Sequence, residues 1–314
     1  MAPASATELT ERALEALEAG DTEQAVALLE PAHRSAPRDA QIAHALALVE
    51  LSRGNSERAL ELAELATRHG GTVAEHHHLL GLALAMNIDS MGTLGKMRAA
   101  GRMRGAWERA LELDPDHIEA RFSLFGYYLG APRIAGGGRD KAEAMAVTIA
   151  ERDPVRGHRA RAVMLRIDGD DDGALREFDA AAELVADDPE QLGVLLMARG
   201  FLCQQMERWD CAHDAFIATL AADPERLGAL YQIGRTAVFS DSRHEEGIAA
   251  FQRYVAEHAP RGSDPSHAWA HVRTGTLLEK LGRPDDARAE YQAALALDSD
   301  HTGAKDALAA LAPR

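Results

Sequence analysis

A recurring helix–turn–helix pattern constrains the fold of this chain more than any other feature of its sequence. Residues 268–300 read AWAHVRTGTLLEKLGRPDDARAEYQAALALDSD, in which two segments with helical apolar spacing flank a Leu-Gly-Arg-Pro turn. A unit this short cannot bury its apolar face alone, so several copies must stack to form a continuous core. The repeat therefore accounts for the 314 residues as one elongated array of helix pairs.

A small residue marks the start of the second helix in each unit, because a larger side chain there forces the two helix axes apart. Aligned on this position, 32 to 44 residues apart, stand Ala25, Ala59, Met103, Ala142, Ala174, Ala212, Gly247 and Ala287. Four residues later stand Leu29, Ala63, Trp107, Ala146, Phe178, Phe216, Phe251 and Tyr291, of which five are aromatic. Eight units fit the chain.

This spacing resembles that of the tetratricopeptide repeat, a unit of about 34 residues folded as an antiparallel helix pair. The resemblance implies an all-α fold, a right-handed α-solenoid of about eight helix pairs spanning residues 1–314. Pro37, Pro115, Pro154 and Pro224 stand where helices are expected to end. Residues 301–312 are predicted to form a helix that caps the last repeat.

Two segments interrupt the regular spacing. Residues 82–105 form an insertion, expected to lengthen both flanking helices by about a turn and to break them near Asp89–Gly95. Residues 130–140 form a Gly-rich loop, which we expect to connect two helices. Between residues 75 and 155 the chain resembles a group of uncharacterised bacterial tetratricopeptide-repeat proteins that share an Ala-Pro…Gly-Gly interruption.

Charge and composition exclude several classes of function. Fifty Asp and Glu against 34 Lys and Arg give a formal charge of −16, which repels a nucleic acid backbone. No window approaches the roughly 18 apolar residues that cross a bilayer, so we expect no membrane span. As written the chain is expected to be cytoplasmic, and periplasmic if a leader peptide has been removed. Its oligomeric state is left open.

Function is expected on the concave face, which the family uses to bind peptides and partner proteins. The resemblance assigns that face to the first helix of each pair. In the best-registered units, the positions expected to contact a ligand or partner are Tyr127, Met197, Phe201, Tyr231, Arg235, Phe239 and Trp269. Large apolar side chains at groove positions predict a protein or peptide partner with apolar or aromatic anchors. Arg235, with Arg159 and Arg166, is expected to orient an acidic group of that partner.

The tryptophans divide by position. Trp107 occupies the aromatic packing position and Trp209 starts a second helix, so both are predicted to be structural. Trp269 fits no packing position and is the best single candidate for partner contact, because a tryptophan with one accessible face is a common interface anchor.

The competing hypothesis is a small-ligand or metal receptor, with a pocket walled by residues 82–105 and the Gly-rich loop and lined by Met86, Met91, Met97 and Met103. No cofactor is predicted and no metal ligand is assigned. His267 and His271 have zinc-like spacing but no third ligand nearby in sequence, and His76, His77 and His78 point about 100° apart on a helix.

No catalytic constellation is present in the sequence, so an enzyme is not expected. Cys203 and Cys211 are interpreted first as buried thiols. A disulfide between them is left open, since it depends on the compartment.

Overall fold

A computed structural model describes residues 5–260 and 264–311, and all regular structure in that part of the chain is helical. Two short 3-10 helices, Ile88–Ser90 and Arg133–Ala135, accompany the α-helices. The α-helices are α1 (Ala6–Glu18), α2 (Thr22–Ser35), α3 (Ala40–Ser52), α4 (Ser56–His69), α5 (Ala74–Asn87), α6 (Thr93–Leu113), α7 (Ile118–Gly130), α8 (Arg139–Arg152), α9 (Pro154–Ile167), α10 (Asp171–Leu184), α11 (Pro189–Gln205), α12 (Trp209–Ala222), α13 (Gly228–Ser240), α14 (His244–Glu257), α15 (His267–Lys280), α16 (Pro284–Leu297) and α17 (Thr302–Ala310). The predicted all-α repeat fold is confirmed.

Two compact units divide the chain, Met1–Ala160 and Arg161–Arg314. In both units, helices that follow one another in sequence pack side by side, as α3 and α4 do in the first unit and α15 and α16 do in the second. The continuity and the right-handed sense of a single array over residues 1–314 stay predictions.

Helix ends follow local sequence. Side chains of Asp21, Asp39, Asp188 and Ser266 accept hydrogen bonds from backbone amides in the first turn of the helices they precede. Such caps satisfy amides that have no partner within the helix. The four aligned prolines lie between helices or, as Pro154 does, at the first residue of one, since proline disrupts a helix interior.

The aligned anchor residues lie in the core. All eight anchors are buried, from Ala25 with no exposed surface to Met103 with 8%. Of the eight positions four residues later, all are buried except Phe178, which is half-buried. The repeat register read from the sequence therefore coincides with the packing of the helices.

The extra residues of the 82–105 insertion lengthen one helix and not two. They lengthen α6, which has 21 residues, whereas α5 has 14, the length of an ordinary helix in this chain. The expectation that both helices gain a turn is wrong for α5. α5 ends at the buried Asn87, whose side-chain amide donates to the carbonyls of Ser56 and Ala83, and a 3-10 turn at residues 88–90 follows.

At the C-terminal end, α17 packs on the second unit. Ala304 is fully buried, and Leu308 and Leu311 are partly buried against the core that includes Tyr291. Residue 312, the last of the predicted capping helix, lies outside the described residues.

The two cysteines form a disulfide, with Cα atoms 5.7 Å apart. Cys203 lies in α11 and Cys211 in α12, so the bond links the two helices of one pair. The initial interpretation of both residues as buried thiols is therefore wrong in this structure.

Candidate functional site

Two large aromatic side chains are exposed on the second unit. Trp269 on α15 is 46% exposed and Phe239 on α13 is 53% exposed. Both were predicted from their positions on the first helix of a pair. A single exposed apolar side chain is common on protein surfaces, whereas exposed apolar groups that share one patch often mark an interaction site.

Arg273 connects these two rings. Its guanidinium carbon lies 5.6 Å from the ring centre of Phe239, 5.7 Å from that of Trp269 and 5.8 Å from that of Tyr231. Its Nε donates a hydrogen bond of 2.8 Å to the hydroxyl of Tyr231, which is buried. The buried tyrosine thus fixes the arginine, and the arginine holds the two exposed rings by cation–π attraction.

Trp209 and Arg235 extend the same surface. The ring of Trp209 stacks on that of Phe239, with centres 6.2 Å apart and planes 14° from parallel. Arg235 lies 5.4 Å from the Phe239 ring centre, and its Nη1 donates to the side-chain oxygens of Gln204 and Gln232. We call the set Trp209, Arg235, Phe239, Trp269 and Arg273 the arginine–aromatic strip.

The charge of the strip is positive and not neutralised locally. Among the described residues, no carboxylate lies within 4 Å of Arg235 or Arg273, although many other arginines of the chain form ion pairs. In a chain of formal charge −16, two such guanidinium groups beside exposed rings form a distinct surface. It can bind an aromatic or aliphatic side chain and a nearby carboxylate together.

The other site residues predicted from the sequence are buried or half-buried. Tyr231 is 5% exposed and Tyr127 is 7% exposed, so the expectation that they project into a groove is wrong. Tyr127 packs on Trp107 in the first unit, with ring centres 6.2 Å apart, and donates a hydrogen bond to the carbonyl of Ala135. Met197 and Phe201 are half-buried.

The two supporting arginines do not join the strip. Arg166 pairs with Asp171 at 3.1 Å in the second unit. In the first unit Arg159 lies 5.6 Å from the ring centre of Phe122, and burial together with the nearby Arg156 lowers its pKa.

Two members of the strip were missed from the sequence. Arg273 stands four residues after Trp269 on α15, and that spacing puts both on one helical face. The spacing is a signal that could have identified it. Trp209 was predicted to be structural, yet it is half-buried and its ring faces the exposed Phe239.

A separate cavity of about 1030 Å³ lies in the first unit. Its walls come from the insertion and from the segment after α7: Ile88, Met91, Lys96, Met97, Met103, Arg104, Trp107, Tyr127, Pro132 and Ile134 are among them. Met91, Met97 and Met103 were predicted to line such a pocket. Met86 is 59% exposed and is not part of this wall, so that expectation is wrong.

The Gly-rich loop closes one side of this cavity, and its backbone amides form hydrogen bonds within the loop and to the end of α7. The N–H groups of Gly136, Gly137 and Gly138 donate to the carbonyls of Arg133, Pro132 and Tyr128. Gly136 has a φ of +91°, a left-handed conformation that favours glycine. Because its amides already have partners, the loop is not preorganised to bind phosphate, and it serves as a connection between α7 and α8.

Histidines gather in the first unit. The rings of His44 and His76 are 5.1 Å apart, and those of His78 and His117 are 4.9 Å apart. Burial, reinforced by neighbouring histidines, lowers the pKa of His44 and that of His78 to about 4. One group of three possible metal ligands occurs in residues 5–260 and 264–311, consisting of Glu75, His78 and His117.

The histidine pair with zinc-like spacing has other partners. His267 Nε2 bonds the carbonyl of His258, and His271 Nδ1 lies 2.6 Å from a carboxylate oxygen of Glu290. The three consecutive histidines also diverge, as their positions on a helix predict. His76 bonds the carbonyl of Gly70, His77 that of Gly71, and His78 the hydroxyl of Ser123.

Sequence comparison decides the family. The tetratricopeptide repeat matches residues 10–72, 204–262 and 242–302, which together cover just over half of the chain. The chain belongs to the tetratricopeptide repeat family. Repeats of this family form scaffolds for protein–protein interaction and are typically non-enzymatic. No curated protein matches the chain in sequence.

Solved structures agree on the fold of this tetratricopeptide repeat protein. A thermophilic repeat protein of Thermus thermophilus is 19% identical, with a TM-score of 0.50 over 59% of this chain and 93% of that one. PilW, a widely conserved type IV pilus biogenesis factor, is 15% identical, with a TM-score of 0.50 over 75% of this chain and 98% of its own. In the part of the chain that the structure describes, no helix is long and apolar enough to cross a membrane.

Proposed function

We propose that this protein is a non-enzymatic scaffold that binds a peptide segment of a partner protein on the arginine–aromatic strip. The observation that carries the proposal is the position of Arg273, which holds the exposed rings of Phe239 and Trp269 while anchored to buried Tyr231. Interface hot spots are enriched in tryptophan, tyrosine and arginine, and their energy depends on such preorganisation.

The chemistry of the strip defines the partner. An aromatic or aliphatic side chain fits against Trp269 and Phe239, and an acidic residue nearby in the same segment fits Arg273 or Arg235. Family members that bind a peptide backbone in a sequence-general way need one asparagine per repeat, and this chain has only Asn55 and Asn87. Recognition therefore rests on side chains of the partner.

Selection from a random peptide library on the immobilised full chain tests this function. We expect the selected peptides to combine an aromatic or large aliphatic residue with Asp or Glu a few residues away. Selection on Arg273→Gln should lose the acidic preference, and selection on Trp269→Ala should lose the aromatic one. A wild-type selection with no such preference, or one that both variants reproduce, contradicts the proposal.

A second candidate function is binding of a small apolar molecule in the cavity of the first unit. The observation in its favour is that three flexible methionines, Met91, Met97 and Met103, line a cavity whose volume suits a small ligand. Native mass spectrometry of the chain purified from its source cells should then show one retained small molecule. A chain that carries none, and gains none from an extract of the same cells, contradicts this second function.

A further inference from the structure

Three potential metal ligands, which lie at the N-terminal ends of two helices, are close together in the first unit. Glu75 and His78 lie three residues apart on α5, a spacing that puts both on one helical face. His117 is the residue that precedes α7. One ligand atom from each residue lies within 4.8 Å of the others, and Nε2 of His117 is 3.4 Å from a carboxylate oxygen of Glu75.

His117 is the residue that most needs an explanation. Its side chain is only 2% exposed, yet its Nε2 has no hydrogen-bond partner in the structure. A buried polar atom left in this state costs about 1–3 kcal/mol. The atom faces Glu75, whose side chain is 64% exposed.

We propose that Glu75, His78 and His117 bind a divalent transition-metal ion of the zinc class. Two imidazoles and one carboxylate are a ligand set that zinc accepts, with a fourth position left for water or another ligand. Zinc–nitrogen bonds of about 2.0–2.1 Å put tetrahedral ligand atoms roughly 3.4 Å apart. The Glu75–His117 pair already has this separation.

The surroundings of the two imidazoles suit this role. Nδ1 of His117 lies 3.5 Å from a carboxylate oxygen of Glu119, and Glu119 is held by a 2.8 Å bond from Arg156. In this structure Nδ1 accepts the amide of Ala120 at 3.5 Å. With Nε2 on the ion, Nδ1 carries the proton, gives up that contact and donates a hydrogen bond to Glu119 instead. Metal-bound histidines commonly have such a carboxylate partner, which orients the ring. His78 is fixed by Ser123, whose Oγ is 3.2 Å from its Nε2.

The last repeat offers a matched control. His301 precedes α17 as His117 precedes α7; both accept a backbone amide through Nδ1, and both have an Nε2 without a hydrogen-bond partner. His301 faces the ring of Trp269 and belongs to no group of three metal ligands in the described residues. Asparagine preserves helix capping and lacks the distal ring nitrogen. The same substitution at both sites therefore separates metal binding from capping.

Isothermal titration of the full chain with Zn²⁺ alone tests the site. We expect one ion per chain, at least a 100-fold loss of affinity in His117→Asn, a loss of at least tenfold in Glu75→Gln, and no change in His301→Asn. Circular dichroism confirms that each variant stays folded, and Glu75→Gln alters only an exposed side chain. Absence of stoichiometric binding by the wild type overturns the proposal. Binding that survives both His117→Asn and Glu75→Gln overturns it equally.

Discussion

Gly275 on α15 lies directly against the ring of Tyr291 on α16. A Cβ atom added to this glycine comes within 2.5 Å of Cε1 of the tyrosine, closer than two carbon atoms can pack. The same relationship recurs between Gly234 and Phe251, between Gly200 and Phe216, and between Gly81 and Trp107. A glycine on the first helix and an aromatic ring on the second thus form the tight contact of these helix pairs.

Substituting these glycines should destabilise the repeat. Gly275→Ala or Gly234→Ala should lower the free energy of unfolding by about 1–3 kcal/mol, because the buried ring must leave its packed position. Gly105→Ala is the control, since a Cβ there meets nothing within 4 Å and alanine favours the helix. Urea denaturation measures the effect. Equal stability of Gly275→Ala and Gly105→Ala contradicts the packing argument.

Acid should destabilise the first unit through His44. Its pKa is about 4 in the folded chain, below the ordinary 6.5, because burial and the nearby His76 and His78 disfavour its charged form. The unfolded chain binds the proton first, so this contribution to stability is complete above pH 6.5 and is lost as pH falls towards 4. The expected loss is about 2–3 kcal/mol.

The control for this prediction is His44→Phe, which keeps a ring and removes the proton-binding group. Thermal unfolding at pH 7 and pH 5 should show a smaller drop in the variant than in the wild type. If both proteins show the same pH dependence of stability, groups other than His44 cause the acid sensitivity and the prediction is wrong.

The hydroxyl of Tyr231 should matter for binding more than for folding. Tyr231→Phe removes the hydrogen bond to Nε of Arg273 but keeps the buried ring. We expect stability to fall by about 1 kcal/mol and the affinity for peptides selected on the wild type to fall several-fold, because Arg273 loses its fixed orientation. Titration calorimetry with such a peptide compares the variants. Tyr254→Phe removes a hydroxyl that donates to the carbonyl of Pro265 and not to Arg273, so it should leave affinity unchanged.

Filling the cavity of the first unit should affect only the second candidate function. Gly101 and Gly105 both lie on α6, and an added Cβ meets no atom within 4 Å at either position. Gly101 lines the cavity, whereas Gly105 does not. Gly101→Phe should abolish retention of a small molecule and Gly105→Phe should preserve it, as judged by native mass spectrometry. Equal retention by the two variants contradicts binding in this cavity.

The fold was predictable because it depends on local pattern. Small residues such as Ala212 and Ala287 mark where helices touch, and the aromatic residues Phe216 and Tyr291 follow at fixed spacing. Both signals survive in a single sequence, since every repeat must satisfy the same packing constraint.

The site was only partly predictable because it depends on contacts between repeats. Trp269 and Phe239 were identified from their positions, but the burial of Tyr231 was not. A shift of one residue along a helix turns a side chain from the groove into the core. Arg273 acquires its role from two rings on α13 and one on α15. Likewise, His117 lies close to Glu75 and His78 although α6 separates them in sequence, and the spacing of the residues does not reveal this contact.

Site-specific photo-crosslinking tests the central claim, partner binding on the arginine–aromatic strip, most directly. A photoreactive phenylalanine analogue replaces either Phe239 on the strip or Leu297 at the end of α16. Leu297 is a similarly exposed apolar residue that is not part of the strip. After irradiation in lysate of the source cells, the account predicts a discrete protein adduct at position 239, lost when Trp269→Ala and Arg273→Gln are added, and none at position 297. Adducts of equal yield at both positions, or none at position 239, contradict it.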